Sequence, residues 1–168
     1  MKGTTTTDAL ELLMSQHEEI ESLIEDIEEV GDPGLKGDMF RALADSIAAH
    51  SAIEEKMFYP SVMHETTREL LVEFTEEHLS IKRLVADMLH LDPADEHFDA
   101  KLTVLKEQFR HHAHDEEEDL LFPKVRELFD EDELAALGNE LLAKYEELVT
   151  QEPRRHVPDE TREAAPLL

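Results

Sequence analysis

Histidine and glutamate side chains occur at corresponding positions in two halves of the chain, in a pattern that could bind metal ions. Each half has a single histidine at the start of an apolar stripe with the spacing of one helix face. Each half then has a His-x-x-x-Glu pair at the end of a second apolar stripe, in which intervals of three and four residues alternate. These residues are His17, His50 and Glu54 in the first half, and His78, His112 and Glu116 in the second.

The His-x-x-x-Glu pairs place an imidazole and a carboxylate on one helix face, one turn apart. Imidazole nitrogen binds iron well, and a carboxylate has two oxygens with which it can bridge two metal ions. Two pairs and two single histidines would give each metal ion two nitrogens and two shared carboxylates, with positions open for water, hydroxide or a small ligand. This donor set favours iron over manganese and zinc. We therefore predict a dinuclear site inside a four-helix bundle.

The alternative is a set of core residues that binds no metal, since a histidine on an apolar stripe is more often a hydrogen-bonded core residue. Glutamate, however, is almost never fully buried without a partner, and an unpaired buried carboxylate is costly. The duplicated register of the whole set favours metal binding. His114 and Glu118 also have the spacing of a ligand pair, but their helix face is polar and we expect it to be solvated.

Apolar residues recur at helical intervals along most of the chain, so we predict an all-α fold: an up-down four-helix bundle with an additional C-terminal helix. Residues 1–150 are expected to form one domain. A tail of residues 151–168, rich in proline and charge, is expected to be flexible. The five predicted helices cover residues 8–30, about 36–60, about 66–91, a stretch after 95 that ends near 129, and about 131–150.

Composition narrows the classes of function. The chain has 168 residues, with 42 acidic and 16 basic side chains and a formal net charge of -26, so we expect neither nucleic-acid nor membrane binding. The acidity fits either a solvated surface or a high-salt cell, and it favours a monomer at low salt. The absence of cysteine excludes thiolate metal sites and fits a cytoplasmic location, which we expect. Phosphate-binding loops, nucleophile elbows and zinc-protease motifs are also missing from the sequence.

The segments around the candidate ligands can be compared with known families. They read Ser-Gln-His17-Glu-Glu-Ile, His50-Ser-Ala-Ile-Glu54-Glu-Lys-Met-Phe-Tyr-Pro60, Glu-Glu-His78-Leu-Ser-Ile-Lys and His111-His112-Ala-His-Asp-Glu-Glu-Glu-Asp-Leu-Leu-Phe-Pro123. With these motifs the chain resembles the hemerythrin-like (HHE cation-binding) domain family over residues 8–149. The resemblance implies a bundle with two iron ions bridged by oxygen or hydroxide. It would assign His17 and His50 to one iron and His78 and His112 to the other, with Glu54 and a glutamate of the fourth helix as bridges.

The second bridging glutamate is ambiguous in the sequence. Pro60 lies six positions after Glu54, but Pro123 lies seven positions after Glu116. Alignment from the preceding histidine selects Glu116 as the ligand, whereas alignment from the proline selects Glu117. A π-bulge would accommodate the extra residue, since such insertions concentrate at functional sites.

Oxygen-carrying hemerythrins have a fifth histidine one turn before the third-helix ligand, and here that position is Phe74. The chain therefore resembles the family members with four histidines and two glutamates, and reversible oxygen transport is disfavoured. We expect a non-haem di-iron protein that binds, senses or reacts with oxygen, hydrogen peroxide or nitric oxide, with or without turnover. The alternatives are an iron storage or sensing module without turnover and a metal-free helical interaction domain. Tyr59 and Glu55 could support the ligands, or could equally be a packing residue and a solvated acid.

Overall fold

Short turns divide the chain into helical segments, of which four long rods form a bundle. The computed structural model describes residues 7–166, and within this part it contains no strand. No helix in the same range has the length and apolarity that a membrane crossing requires. The elements are α1 (Ala9–Glu29), α2 (Pro33–Ile53), π1 (Glu54–Phe58), α3 (Tyr59–Ser61), α4 (Arg68–Leu89), α5 (Glu96–Arg110), π2 (His111–Leu121), α6 (Phe122–Leu128), α7 (Glu131–Val149), a 3₁₀ helix (Pro153–His156) and α8 (Val157–Glu160).

Two of the four rods combine α-helical and π-helical turns without interruption. The second rod is α2, π1 and α3, and the fourth rod is α5, π2 and α6, while α1 and α4 are the first and third. Short connections reverse the chain direction between successive rods, as expected for an up-down bundle. The additional helix α7 packs against α1 and α2. The predicted fold class is confirmed.

Aspartate side chains fix the start of several helices. Asp8 accepts a hydrogen bond from the Glu11 backbone, and the Glu11 side chain accepts one from the Asp8 backbone, which is a capping box. Asp130 and Glu133 form the same arrangement at the start of α7. Asp32 caps α2, whose first residue is a proline that needs no backbone hydrogen bond there. These caps satisfy backbone N–H groups that would otherwise lack partners.

The apolar stripes of the rods meet in two separate clusters. The first contains Ile24, Phe40, Leu43, Val85 and Leu105 among others. The second contains Leu13, Phe58, Phe74, Leu121 and Leu134 among others, and includes residues of α7. Along each rod, the candidate ligands lie between the residues of the first cluster and those of the second. The polar side chains of the site are therefore enclosed by close-packed apolar layers, which restrict their motion.

The C-terminal segment, for which composition predicts a flexible tail over residues 151–168, contacts the bundle at several points within residues 151–166, while residues 167 and 168 lie outside the described part of the chain. Arg154 binds the carboxylate of Asp45 on α2 at 2.7 Å, and its backbone N–H donates to the same side chain. Val157 is 1% exposed and joins the first apolar cluster. Lys82 of α4 contacts Glu160 at 3.2 Å. One apolar anchor and two interhelical ion pairs thus attach a segment whose proline and charge content alone predicts no packing.

Substitution of Gly138 should separate α7 from the bundle. A Cβ atom there would lie 2.6 Å from the backbone oxygen of Thr7 and 2.8 Å from the backbone nitrogen of Ala9, so the two segments would have to move apart. We expect Gly138→Ala to lower the free energy of unfolding by about 1–3 kcal/mol, measured by urea denaturation. Gly31→Ala is the matched control, because its Cβ would meet nothing within 4 Å and its φ is not positive. Equal stability of the two variants would contradict the close approach.

Candidate metal centre

Six polar side chains from all four rods meet at the centre of the bundle. Each is between 0% and 2% exposed, although each is a histidine or a glutamate. Their potential ligand atoms form two overlapping groups in which all atoms lie within 4.8 Å of one another, and both glutamates belong to both groups. The first group is His17, His50, Glu54 and Glu117, and the second is Glu54, His78, His112 and Glu117.

The helix type explains which glutamate of the fourth rod reaches the centre. In the second rod, His50 and Glu54 are four residues apart and share a face across the end of α2. In the fourth rod, π2 contains both His112 and Glu117, which are five residues apart. Because a π-helix forms i→i+5 hydrogen bonds, it brings residues five apart to the same face.

Glu116 lies outside the central group. Its side chain is 17% exposed, and its Oε1 is 3.5 Å from Nε2 of the exposed His111. Its carboxylate approaches those of Glu73 and Glu77 instead. Of the two candidates that the sequence left open, the structure brings Glu117 to the other five side chains.

The two central carboxylates each face histidines of both groups. Glu54 Oε1 lies 2.9 Å from His50 Nε2 and 3.8 Å from His17 Nε2, while Glu54 Oε2 lies 3.0 Å from His78 Nε2. Glu117 Oε1 lies 2.8 Å from His112 Nε2 and 3.6 Å from His17 Nε2. Each of the four histidines at the centre thus directs its Nε2 atom toward one of the two central carboxylates.

The other ring nitrogen of each histidine donates a hydrogen bond outward. His17 Nδ1 donates to Glu118 at 3.0 Å, and His78 Nδ1 donates to Glu55 at 2.9 Å. The remaining pairs are His50 Nδ1 with the Gln16 carbonyl at 2.7 Å and His112 Nδ1 with Glu77 at 2.9 Å. These acceptors fix the proton of a neutral imidazole on Nδ1 and leave a lone pair on Nε2.

The inward-facing nitrogen and oxygen atoms are therefore hydrogen-bond acceptors that lie opposite other acceptors. Among the described residues, His17 Nε2, His50 Nε2, Glu54 Oε1 and both Glu117 oxygens are buried without a hydrogen-bond partner. Buried polar atoms are rarely left in this state, because their desolvation is then uncompensated. A cation between them, either a proton or a metal ion, resolves the repulsion. The donor set of imidazole nitrogens and carboxylate oxygens fits two transition-metal ions.

The sequence profile of the hemerythrin HHE cation-binding domain matches residues 8–125, about the whole bundle that holds these side chains. The chain belongs to the hemerythrin HHE cation-binding family. In structure it is similar to a hemerythrin HHE cation-binding domain-containing protein from Mycobacterium kansasii, with a TM-score of 0.76 and 23% identity over 86% of this chain and 88% of that one. The similarity shows a shared hemerythrin-like fold. Comparison with curated proteins gives no match.

Two aromatic rings flank the centre of this HHE domain at equivalent places. Tyr59 stacks on His78 with ring centroids 5.5 Å apart, and Phe122 stacks on His17 at 6.3 Å. The Tyr59 hydroxyl donates to Glu54 Oε2 at 3.3 Å and lies 3.2 Å from His78 Nε2. Burial and the nearby carboxylates raise the pKa of Tyr59 well above its usual value, so the hydroxyl stays protonated.

Sequence periodicity missed three residues that hydrogen-bond to the candidate ligands: Gln16, Glu77 and Glu118. The first two immediately precede the single histidines, and Glu118 immediately follows Glu117. Glu118 also binds His114 at 2.6 Å, so the pair set aside as a solvated face is linked to the centre. The sequence did contain one indication of Glu118: a second glutamate follows each central glutamate, Glu55 after Glu54 and Glu118 after Glu117.

Electrostatics couple the buried histidines and glutamates strongly when no metal is bound. Burial lowers the pKa of His112, but the charge of Glu117 and hydrogen bonds with Glu117 and Glu77 outweigh it and raise the pKa to about 10. Burial would raise the pKa of Glu54, but the charge of His50 and hydrogen bonds from the surrounding histidines hold it well below its usual value. The metal-free centre therefore retains protons among its histidines and keeps its carboxylates ionised.

These shifts predict how the stability of metal-free protein depends on pH. The raised pKa of His112 contributes stability that is present below about pH 6.5 and is lost as the pH rises through about 10. The lowered pKa of Glu54 contributes stability that is present above about pH 4.5 and is lost under more acidic conditions. We expect the Tm of chelator-treated protein to fall between pH 6.5 and 10. If the Tm did not change between pH 6.5 and 10, and His112→Gln gave the same Tm values, the proton-linked pairs would be contradicted.

Proposed function

We propose that this chain is a non-haem di-iron protein whose buried centre binds, senses or reacts with a small ligand such as oxygen, hydrogen peroxide or nitric oxide. One observation carries the proposal: four buried imidazole Nε2 atoms and two buried carboxylates converge with their lone pairs toward one another. His17 and His50 would hold one metal ion, and His78 and His112 would hold the other. Glu54 and Glu117 would be shared by both ions.

The donor chemistry supports iron as the metal. The set contains only nitrogen and carboxylate oxygen donors, and the chain has no cysteine that would favour softer ions. Manganese and zinc fit the same set less well. Two bound irons would supply redox chemistry between the ferrous and ferric states. The protein residues would hold the metal ions, fix the imidazole protons on Nδ1 and donate one hydrogen bond from Tyr59.

The enclosure of the centre supports a small ligand. All six candidate ligands are at most 2% exposed, and Phe122 and Phe74 pack against their imidazole rings. An organic substrate of ordinary size would require the bundle to open. Dioxygen, nitric oxide and peroxide are small enough to pass through transient gaps between packed side chains.

Metal content and its dependence on one glutamate test the proposal. Protein expressed with supplemental iron should contain about two irons per chain, and its iron should dissociate as acid protonates the histidine ligands. Glu117→Gln should remove most of this iron, since it removes a shared carboxylate. Glu116→Gln is the matched control and should retain it, because Glu116 lies outside the centre. Folded protein that holds no metal after reconstitution would refute the proposal, and equal iron in both variants would refute the role of Glu117.

Peroxide consumption distinguishes an enzyme from a storage or sensing module that has no catalytic turnover. Hydrogen peroxide is added to protein samples of graded iron content, and oxygen evolution is recorded. A rate that scales with protein-bound iron and exceeds that of free iron supports turnover. A rate no greater than that of free iron supports the module.

A further inference from the structure

The centre has an approximate twofold symmetry that extends beyond the six candidate ligands. In each half, the residue before the single histidine binds Nδ1 of the histidine in the His/Glu rod. In each half, the residue after the shared glutamate binds Nδ1 of a single histidine. The corresponding residues are Gln16 and Glu77, His17 and His78, His50 and His112, Glu54 and Glu117, and Glu55 and Glu118.

One pair in this set differs in charge. The Gln16 side chain presents a neutral carbonyl to His50 at 2.7 Å, whereas Glu77 presents a carboxylate to His112 at 2.9 Å. Gln16 is 4% exposed, so its hydrogen bond to His50 is shielded from solvent. Glu77 Oε1 is buried and has no hydrogen-bond partner among residues 7–166, so within this range His112, on the other carboxylate oxygen, is the only ion-pair partner of Glu77.

The other two residues that accept a hydrogen bond from an imidazole Nδ1, Glu55 and Glu118, are alike in charge. Glu55, which binds His78, is also held by Lys82 through contacts of 2.9 and 3.0 Å. Glu118, which binds His17, also binds His114 at 2.6 Å. Each of these carboxylates therefore shares its charge with a second cationic or proton-bearing side chain. Gln16 and Glu77 remain as the uncompensated difference between the halves.

A carboxylate that accepts the Nδ1 proton raises the basicity of an imidazole more than a neutral carbonyl does, because the hydrogen bond is charge-assisted. His112 is therefore the stronger donor through Nε2, and His50 the weaker. We propose that the two metal positions are unequal: the position at His78 and His112 fills first, and the position at His17 and His50 fills second and more weakly. This inference rests on the proposed function, because it requires a dinuclear site.

Anaerobic titration of the full chain with Fe²⁺, followed by calorimetry, tests the order of filling. Loss of an outer partner typically changes metal affinity by about 10–100-fold, and we expect the two steps of the native protein to differ by a factor in this range. Gln16→Glu should tighten the weaker step and bring the two steps close together. Glu77→Gln should weaken the tighter step, again bringing the steps together but at lower affinity. Circular dichroism of each variant checks that the helices remain.

Tyr59 supplies the control for a competing explanation. Its hydroxyl lies at the His78 position, and the corresponding residue at His17 is Phe122, so the phenol also distinguishes the halves. Tyr59→Phe removes this difference and leaves Gln16 and Glu77 in place. We expect its two steps to remain separated.

Three results would overturn the inference. Two irons of equal affinity in the native protein would remove the inequality while leaving the proposed function intact. Two unequal steps that merge in Tyr59→Phe but not in Gln16→Glu or Glu77→Gln would assign the inequality to the phenol. Absence of any bound iron would refute the proposed function, and the inference with it.

Discussion

Lone pairs that face one another at the bundle centre determine what the four rods and their packing must achieve. Outward hydrogen bonds hold the imidazole protons on Nδ1, so four Nε2 atoms and two carboxylates face each other in a buried centre. Such a layer is unfavourable unless cations lie in it. The two apolar clusters on either side compensate for its cost and keep the rods at a fixed separation. Metal binding would therefore act on the whole fold, because every rod contributes a candidate ligand.

The fourth rod shows how a helix can direct its histidine and glutamate to the centre although the spacing of its residues differs from that of the second rod. Its histidine and its proline each align with those of the second rod, but one extra residue lies between them. An uninterrupted α-helix could satisfy only one end, and would rotate either His112 or the residues after Pro123 away from their contacts. The π-helical segment His111–Leu121 takes up the residue over about two turns, so both ends keep their faces. Rods with different spacing can thus present equivalent side chains.

Features that are local and repeated along the chain are predictable from the sequence, whereas features that depend on contacts between elements are not. The helices and the histidines at 17, 50, 78 and 112 follow from apolar periodicity and from duplication. The choice between Glu116 and Glu117 could not follow from spacing, because it depends on helix type, which tertiary packing decides. The packing of the C-terminal segment depends on Asp45, over 100 residues away, and on the burial of Val157. The partners of the imidazole Nδ1 atoms were missed because no pattern along one helix identifies which neighbouring rod it faces.

The net negative charge of the chain favours cations, as the carboxylates of the buried centre do. A formal charge of -26 attracts cations toward the surface and repels anions, over distances of about 8 Å at physiological salt. Inside the bundle, Glu77 adds to the charge of the two central carboxylates, whereas Lys82 and His114 offset the charges of Glu55 and Glu118. Metal cations are therefore favoured at every stage of their approach. If the centre takes a small ligand as proposed, neutral molecules such as dioxygen, nitric oxide and hydrogen peroxide would meet no such barrier, whereas anions of similar size would be repelled before they reach the bundle. Charge would then select among ligands that size alone would admit.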